Sequence, residues 1–517
     1  MTNDRADATP WWRDAVVYQI YPRSFADSNG DGVGDLQGII ERLDYLADVG
    51  VDALWLSPIF RSPMKDFGYD VADYCAIDPV FGTEADLDEL VGGLHERGMR
   101  LLLDWVPNHT SDQHEWFVES RSSRDNPKRD WYVWRDPEPD GSPPNNWMAE
   151  FKGVPAWTND SATGQSYLHL FLAEQPDLNW ANPEVEAAMH DTLRYWLDRG
   201  VDGFRADVVH LIGKGADVDD LPDDARRPVT SIDRPLGHEL LRRTRTLLDG
   251  YAHDPMMVGE VYLLRPGQSA TYLGDPANGA GELHLSFDFR PVHTDWDAAS
   301  LHRTIAAGQN EFAEPFWPTW VLSNHDQPRH RTRYERDARA RAAAVLSSTV
   351  RGTPFLYAGE ELGLEDAVVP EERIVDPDGR DGCRAPIPWT ADGDDSTGHG
   401  WPERPWLPFP ANAATHNAEA EVGVEGSIHS LYRDLLALRR DHEVLRRGSM
   451  ELAPPEGALI RYTRTLGDEC VEVVVNLGDE DVGWPAGLTG ELLVSSDAAR
   501  TSPGGVLAGS EAAVVRT

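Results

Sequence analysis

Residues 39–58 read Ile-Ile-Glu-Arg-Leu-Asp-Tyr-Leu-Ala-Asp-Val-Gly-Val-Asp-Ala-Leu-Trp-Leu-Ser-Pro, and they contain the unit whose repetition decides the fold. Ile39, Ile40, Leu43 and Leu46 share one helical face and stop at Gly50, the residue type that most readily closes a helix. A short run of β-formers follows at 53–58. A helix feeding straight into a buried apolar strand is half of a βα repeat, the signature of a parallel sheet. The rhythm recurs outward in both directions: Val185, Met189, Leu193 and Trp196 line a face before Gly200, and a strand begins at Gly203. Strands are predicted at 15–21, 53–58, 100–106, 203–209, 256–261, 283–289, 319–324 and 353–358. Eight of them imply an α/β fold of the (β/α)8 (TIM) barrel type.

Two stretches interrupt the repeat. About seventy residues rich in Trp, Pro and Asn, including Asp140-Gly-Ser-Pro-Pro-Asn-Asn146, separate the third strand from the helix at Pro183, too many for a simple connection. They are expected to form an inserted subdomain. A second irregular stretch, 365–417, is dense in Pro, Asp and Arg. From about Gly448 short alternating strands such as 458–464 and 470–475 take over, separated by Gly, Pro and Asp turns, which predicts a C-terminal antiparallel β-sandwich domain. The expected division is a barrel over 1–107 and 180–447, an insertion over 108–179 and a sandwich over 448–517.

Composition narrows the function. The 517 residues carry 47 Lys+Arg against 88 Asp+Glu, a formal charge of −41. Such a surface repels phosphate backbones and anionic lipid, which argues against nucleic-acid and membrane partners. No apolar run approaches a membrane helix, and the opening residues lack the apolar core of a secretion signal. Cys75, Cys383 and Cys470 lie far apart with no CxxC pairing, which fits a reducing, cytoplasmic setting. The expected partner is a small neutral molecule, bound by a monomer or homodimer.

In a (β/α)8 barrel the chemistry sits at the C-terminal ends of the strands. Those ends are acidic: Asp104-Trp-Val-Pro-Asn-His109, Gly203-Phe-Arg-Ala-Asp207, Val258-Gly-Glu260 and Ser323-Asn-His-Asp326. Asp207, Glu260 and Asp326 should converge from separate strands. Two carboxylates flanking a scissile bond are what glycoside cleavage requires, one as acid on the leaving oxygen and one as nucleophile or base on the opposite face. Arg205, two residues before Asp207 on the same strand face, is expected to hold Asp207 ionised, whereas Glu260 must be protonated at rest. His109 and His325 can donate hydrogen bonds to sugar hydroxyls; a metal role for them lacks clustered ligand spacing.

These four blocks, with Gln175-Pro-Asp-Leu-Asn179 and Gly352-Thr-Pro-Phe-Leu-Tyr-Ala-Gly-Glu-Glu361, resemble the α-amylase family, glycoside hydrolase family 13, across essentially the whole chain. The resemblance implies that Asp207 is the nucleophile, Glu260 the acid that becomes the base, and Asp326 the carboxylate that holds the sugar ring. It implies retention of anomeric configuration, with the Asp207 and Glu260 carboxyl groups about 5–5.5 Å apart, and no organic cofactor. Lys65-Asp-Phe-Gly-Tyr-Asp70 and Gly379-Arg-Asp-Gly-Cys-Arg-Ala-Pro-Ile-Pro-Trp389 are similar to the α-glucosidase and oligo-1,6-glucosidase branch. There the resemblance pairs Asp66 with Arg384 to bind the nonreducing glucose, or to pin a loop, with Tyr69 under the ring. Phe151 and Phe171 become pocket walls, or core. Val208, after the nucleophile, resembles the α-1,6 members. The implied activity is exo-acting release of terminal glucose from short α-glucosides, maltose and isomaltose types and sucrose among them; a transglucosylase or sucrose-isomerising enzyme is the alternative. A non-catalytic transporter partner would carry a membrane helix and lack the acids. The acidic stretch 216–224 reads as solvated surface rather than a determinant of the leaving group.

One further motif, Asp27-Ser-Asn-Gly-Asp-Gly-Val-Gly-Asp35, alternates oxygen donors with glycines, as a hard cation such as Ca2+ requires, although it lacks the twelfth-position Glu of an EF-hand. The branch resemblance implies a structural Ca2+ on Asp27, Asn29, Asp31, the Val33 carbonyl and Asp35; the alternative is an Asx-rich turn.

Overall fold

The computed structural model describes residues 9–214 and 233–517, apart from 264, 276, 277, 377 and 395. The acidic stretch 216–224 lies outside the described residues. Eight parallel strands, β1 (Val17–Ile20), β2 (Ala53–Leu56), β3 (Arg100–Trp105), β4 (Gly203–Ala206), β5 (Met256–Gly259), β6 (Leu285–Ser286), β7 (Thr319–Val321) and β8 (Thr353–Tyr357), fall inside the eight predicted windows. They pair in the order β6-β5-β4-β3-β2-β1-β8-β7. Between β6 and β7 there is no main-chain ladder among the described residues. Thr319 bridges that seam, its hydroxyl donating to the Ser286 carbonyl at 3.2 Å and accepting from the Asp288 amide at 3.0 Å.

The strands are continuous apolar runs because both faces are covered. Val17, Ala53, Trp55, Leu102, Met256, Val258, Phe287 and Phe355 fill the lumen, while a larger cluster joins the outward faces to the surrounding helices. The helical face read at 39–46 is split between two helices, Leu36–Ile40 and Leu43–Val49, with Ile40 only half-buried. Asp35 caps the first by accepting from the Gly38 amide, and Gly50, at φ 92°, closes the second. Pro183–Leu197 is one helix, opened by Asn182 accepting from the Glu184 amide and Pro at its first turn.

After β3 the insertion folds as a helix, Glu115–Ser122, and a three-stranded antiparallel sheet in the order 134–135, 165–168, 157–160. Its apolar residues Trp147, Trp157, Leu168 and Leu170 cluster with Val208 and Leu211, so its core continues into the end of β4. At the other end of the chain β9 (Ser449–Leu452), β10 (Leu459–Leu466), β11 (Glu469–Asn476), β12 (Glu491–Ser495) and β13 (Ala512–Arg516) form an antiparallel sheet in the order β9-β10-β11-β13-β12. Alternation puts Ile460, Tyr462, Val471 and Val473 in the main core and Val474, Ala513 and Val515 on the opposite face. A two-stranded ribbon, Val482–Gly483 with Val506–Leu507, brings Trp484 and Leu507 over that second face, so the second layer is a ribbon rather than a full sheet. Among the described residues no helix is long and apolar enough to cross a membrane. Cys75, Cys383 and Cys470 are free thiols.

Candidate active site

The register of the barrel strands assembles the acids. Asp104 on β3 pairs in register with Arg205 on β4, and period-two alternation turns Arg205 and Asp207 the same way. Arg205 becomes the hub of three carboxylates: Nη1 donates to Asp104 at 2.7 Å and Asp207 at 2.8 Å, and Nη2 to Glu260. The guanidinium is 2% exposed and lies beneath the pocket floor instead of lining it. One cation facing three acids cannot keep all of them ionised. Burial pushes Asp104 up to about 6 against the pull of Arg205, and pushes Asp207 well above the carboxylate range, with the neighbouring Glu260 adding to the rise. The expected Arg205–Asp207 ion pair is present, but Asp104 and Glu260 share the same guanidinium, and burial opposes its pull on the Asp207 carboxyl.

A second hub lies across the pocket. Arg380 binds Asp66 at 2.9 Å, Asp326 at 2.9 Å and Asp376 at 2.7 Å. Arg384, one helical turn further on and fully buried, binds Asp326 at 3.0 Å and Asp376 at 3.1 Å and donates from Nε to the His325 carbonyl at 2.8 Å. The expected Asp66–Arg384 pair is therefore corrected to Asp66–Arg380. The turn Asp381–Arg384 carries the second arginine behind the pocket wall, while the first faces the cavity. Asp376, which accepts from both, braces the pair. Burial raises Asp326, but His325 and the two arginines hold it well below its usual range. Asp66 is raised by burial despite Arg380 and Arg384, and Gln175 donates to it at 3.0 Å.

The cavity between the hubs has a volume of about 280 Å3 and is lined by Asp66, Tyr69, His109, Phe151, Phe171, Asp207, Val208, Glu260, Asp326 and Arg380, together with Glu150, Tyr262, Gln327 and Asp378. Phe151 and Phe171 are thus walls, 5.6 Å apart between ring centroids, and Arg380 lies 5.1 Å from the Phe151 ring centre. His325 is not in the lining. It stacks on Tyr69 at 5.5 Å and is 1% exposed, with Nε2 2.6 Å from the Tyr69 hydroxyl and 3.2 Å from Asp326. It steadies those two groups from behind, where a direct contact with substrate had been expected. Desolvation holds His109 and His325 down at about 3, so both are neutral. Val208 sits at φ 34°, a left-handed conformation that a β-branched residue adopts only under strain. That turn gives its amide to Glu260 at 3.3 Å and its side chain to the cavity.

Sequence reading passed over Lys214, Asp376 and Arg380 as site residues. The chain has only four lysines, yet Lys214 is 2% exposed, 3.0 Å from Asp177 and bonded to the Asn108 side-chain oxygen. That contact fixes the Asn108 amide, whose NH2 then faces Asp177 at 3.3 Å and His109 Nδ1 at 3.0 Å. His109 Nε2 lies 3.2 Å from the Tyr69 carbonyl and 3.1 Å from the Gln175 amide nitrogen, so both ring nitrogens are engaged.

In the loop 27–35 the Asp27 carboxylate accepts from the amides of Asn29, Gly30 and Gly32, and Asp35 from those of Ser28 and Gly38. These turns curl the chain around its acids. Among the described residues no three His, Cys, Asp or Glu side chains gather as a metal cluster.

Acids at the ends of β4, β5 and β7 of a parallel barrel set the frame for comparison. Residues 19–448 match the family described as alpha amylase, catalytic domain. The chain belongs to the α-amylase family, glycoside hydrolase family 13. This family member is 39% identical to the oligo-1,6-glucosidase of Parageobacillus thermoglucosidasius over 91% of each chain. It is 40% identical to a probable α-glucosidase of Rhizobium meliloti (strain 1021), over 91% of this chain and 90% of the relative. Among solved structures the trehalulose synthase MutB from Pseudomonas mesoacidophila MX-45 superposes with a TM-score of 0.91 at 35% identity, covering 98% of this chain and all of that one. The α-amylase-family barrel is accordingly a glycoside hydrolase whose fold, insertion and C-terminal sheet run the length of its relatives.

Proposed function

We propose that the protein is an exo-acting, retaining α-glucosidase that releases terminal α-D-glucose from short neutral α-glucosides. The observation that carries this reading is a cavity with room for little more than one sugar ring, with Asp207 and Glu260 on one side and the Asp66–Arg380–Asp326 bridge on the other. Asp207 attacks the anomeric carbon while Glu260 gives its proton to the leaving oxygen; the resulting glucosyl-enzyme is opened by water that Glu260 deprotonates. Asp326, held low by His325 and the two arginines, accepts from ring hydroxyls; Tyr69 lies under the ring, and His109 faces it from the pocket wall. Asp66 and Arg380 take the nonreducing end.

Transfer of the glucosyl group to a sugar instead of water is the second reading, supported by the likeness to trehalulose synthase MutB. Val208 favours α-1,6 over α-1,4 bonds. The division into barrel 1–107 and 180–447, insertion 108–179 and C-terminal domain 448–517 belongs to the same reading, as do a cytoplasmic setting, suggested by the free thiols, and a monomer or homodimer. A structural Ca2+ in the 27–35 loop belongs to the same reading, with Asp27, Asn29, Asp31, the Val33 carbonyl and Asp35 as its hard oxygen donors and an Asx turn about Asp27 as the frame. A bound Ca2+ there would tie this loop to the start of the helix Leu36–Ile40.

The test compares initial rates on maltose, isomaltose, sucrose and starch, with products resolved by chromatography. Glucose from the short sugars with starch untouched is expected; mixed oligosaccharides from starch would overturn the closed pocket. Asp207→Asn should lose at least about 10³-fold in kcat with its melting transition intact.

A further inference from the structure

The barrel has another cavity at the opposite end, and its charge is reversed. About 330 Å3 in volume, it opens where β1, β2 and β3 begin, beneath the helices Ile428–Asp441 and Glu443–Arg447. Arg100, Arg439, Arg440 and Arg446 line it with only Asp14 and Asp52 as acids. In a chain of net charge −41, four guanidiniums gathered over two carboxylates run against the composition.

The two acids do little to neutralise them. Asp14 is held by Arg447 at 2.5 Å and stands 4.0 Å from Arg446. Asp52 accepts from the Val16 amide at 2.8 Å, and among the described residues it makes no ion pair. Arg100 reaches Asp202 at 3.1 Å. Arg439, 1% exposed, donates to three neutral carbonyls, those of Ser348, Leu445 and Gly352; its Nε has no partner, and no carboxylate lies within 4.0 Å among the described residues. Behind it the buried Arg464 likewise bonds only to carbonyls. Desolvation lowers Arg439 to about 10, against the more distant pull of Asp52 and Asp14, and lowers Arg464 to about 9. Arg440 is seated over Gly50: a Cβ there would stand 2.5 Å from its Nη2, so the glycine leaves room for the guanidinium.

We propose that this cavity is a binding site for a phosphate-type dianion, gripped by Arg440 and Arg446 at its mouth with the charge of Arg439 beneath. Planar guanidinium forks match tetrahedral oxyanions, and the volume admits either free phosphate or the phosphate end of a small sugar phosphate. The two ends of the barrel would then sort ligands by charge, neutral sugar at the acidic mouth and anion at the basic one.

The test is the melting temperature of the full chain in orthophosphate, in glucose 6-phosphate and in chloride, at one pH and ionic strength. A saturable rise of about 1–3 °C over chloride is expected. A response to orthophosphate assigns the free anion, and a response to glucose 6-phosphate alone assigns the sugar phosphate. Arg440→Gln with Arg446→Gln should abolish the rise and leave glucosidase rates unchanged; Arg440→Gln alone, at an exposed position, should weaken phosphate binding about tenfold. Asp207→Asn should keep the rise, which separates this site from the catalytic pocket. No rise over chloride with either phosphate, or an equal rise in the double variant, would overturn the proposal.

Discussion

Replacing Lys214 with Met tests how the pocket is held. The ammonium and the Asp177 carboxylate are 1% and 0% exposed and 3.0 Å apart, so the pair is fully desolvated. Removing one partner of such a pair strands the other charge, which typically costs about 3–5 kcal/mol. Asp177 keeps only the Leu170 amide at 3.1 Å and the Asn108 NH2 at 3.3 Å. Burial already pushes its carboxyl up, and Lys214 opposes that rise. Without the lysine it takes a proton more readily, and the folded-state pKa climbs further above the unfolded one. The sign follows: the variant's deficit should shrink below the unfolded carboxylate pKa, about 4, and grow as pH rises toward neutrality. The Asn108 amide, which contacts His109 Nδ1 at 3.0 Å, also loses what fixes it, so His109 is held less firmly in the pocket wall and KM for a short glucoside should rise several-fold. Urea melts at pH 4.5 and 7.5, with kinetics alongside, are the assay. Lys214→Met with Asp177→Asn should recover most of the lost stability, because no stranded charge remains. A single variant within about 1 kcal/mol of the parent at pH 7.5, or a double variant no better than the single, would refute the reasoning.

Other consequences can be checked in the same preparations. The acid limb of kcat/KM should fall near pH 6, where Asp104 takes up a proton and its hold on Arg205 weakens; Asp104→Asn should remove that titration and change the limb, as a pH–rate profile would reveal. Arg380→Gln frees Asp66 and Asp326 from their shared cation, so it should cut kcat/KM at least about 10²-fold, which steady-state kinetics would measure, while Arg384→Gln should chiefly lower the melting temperature. If the 27–35 loop holds Ca2+, chelation should lower the melting temperature by a few degrees, reversibly on adding Ca2+, and Asp31→Ala should remove the difference in calorimetry.

The barrel was legible because its strands are buried on both faces and therefore read as apolar runs, some of them, as at Gly50 and Gly200, preceded by a helical face and a glycine. The acids at the strand ends were legible for the same reason: a carboxylate directly after such a run has few places to point except into the mouth. Pairing within the loop 376–384 was not legible. Arg380 and Arg384 are four residues apart, and only the turn at Asp381–Arg384 decides which faces the cavity and which lies behind it. The sharing of Arg205 was not legible because sequence shows the arginine adjacent to Asp207 but not that two further carboxylates bind it. Lys214 went unread since a lysine following a strand is ordinarily solvated, and its burial depends on an insertion folding back over it.

The seam bridged by Thr319 has a consequence for movement. Among the described residues seven neighbouring strand pairs are laced by main-chain hydrogen bonds, whereas the Thr319 hydroxyl on β7 makes the link to Ser286 on β6 and to Asp288 just after it, so the ring should yield most easily at that joint. Glu260 follows β5, next to one lip of that joint, and Asp326 follows β7, which forms the other. A small opening there alters the distance between the acid and the carboxylate that grips the sugar without breaking a ladder elsewhere. Among the described residues, relative displacement of those two groups would meet its weakest main-chain resistance across this seam.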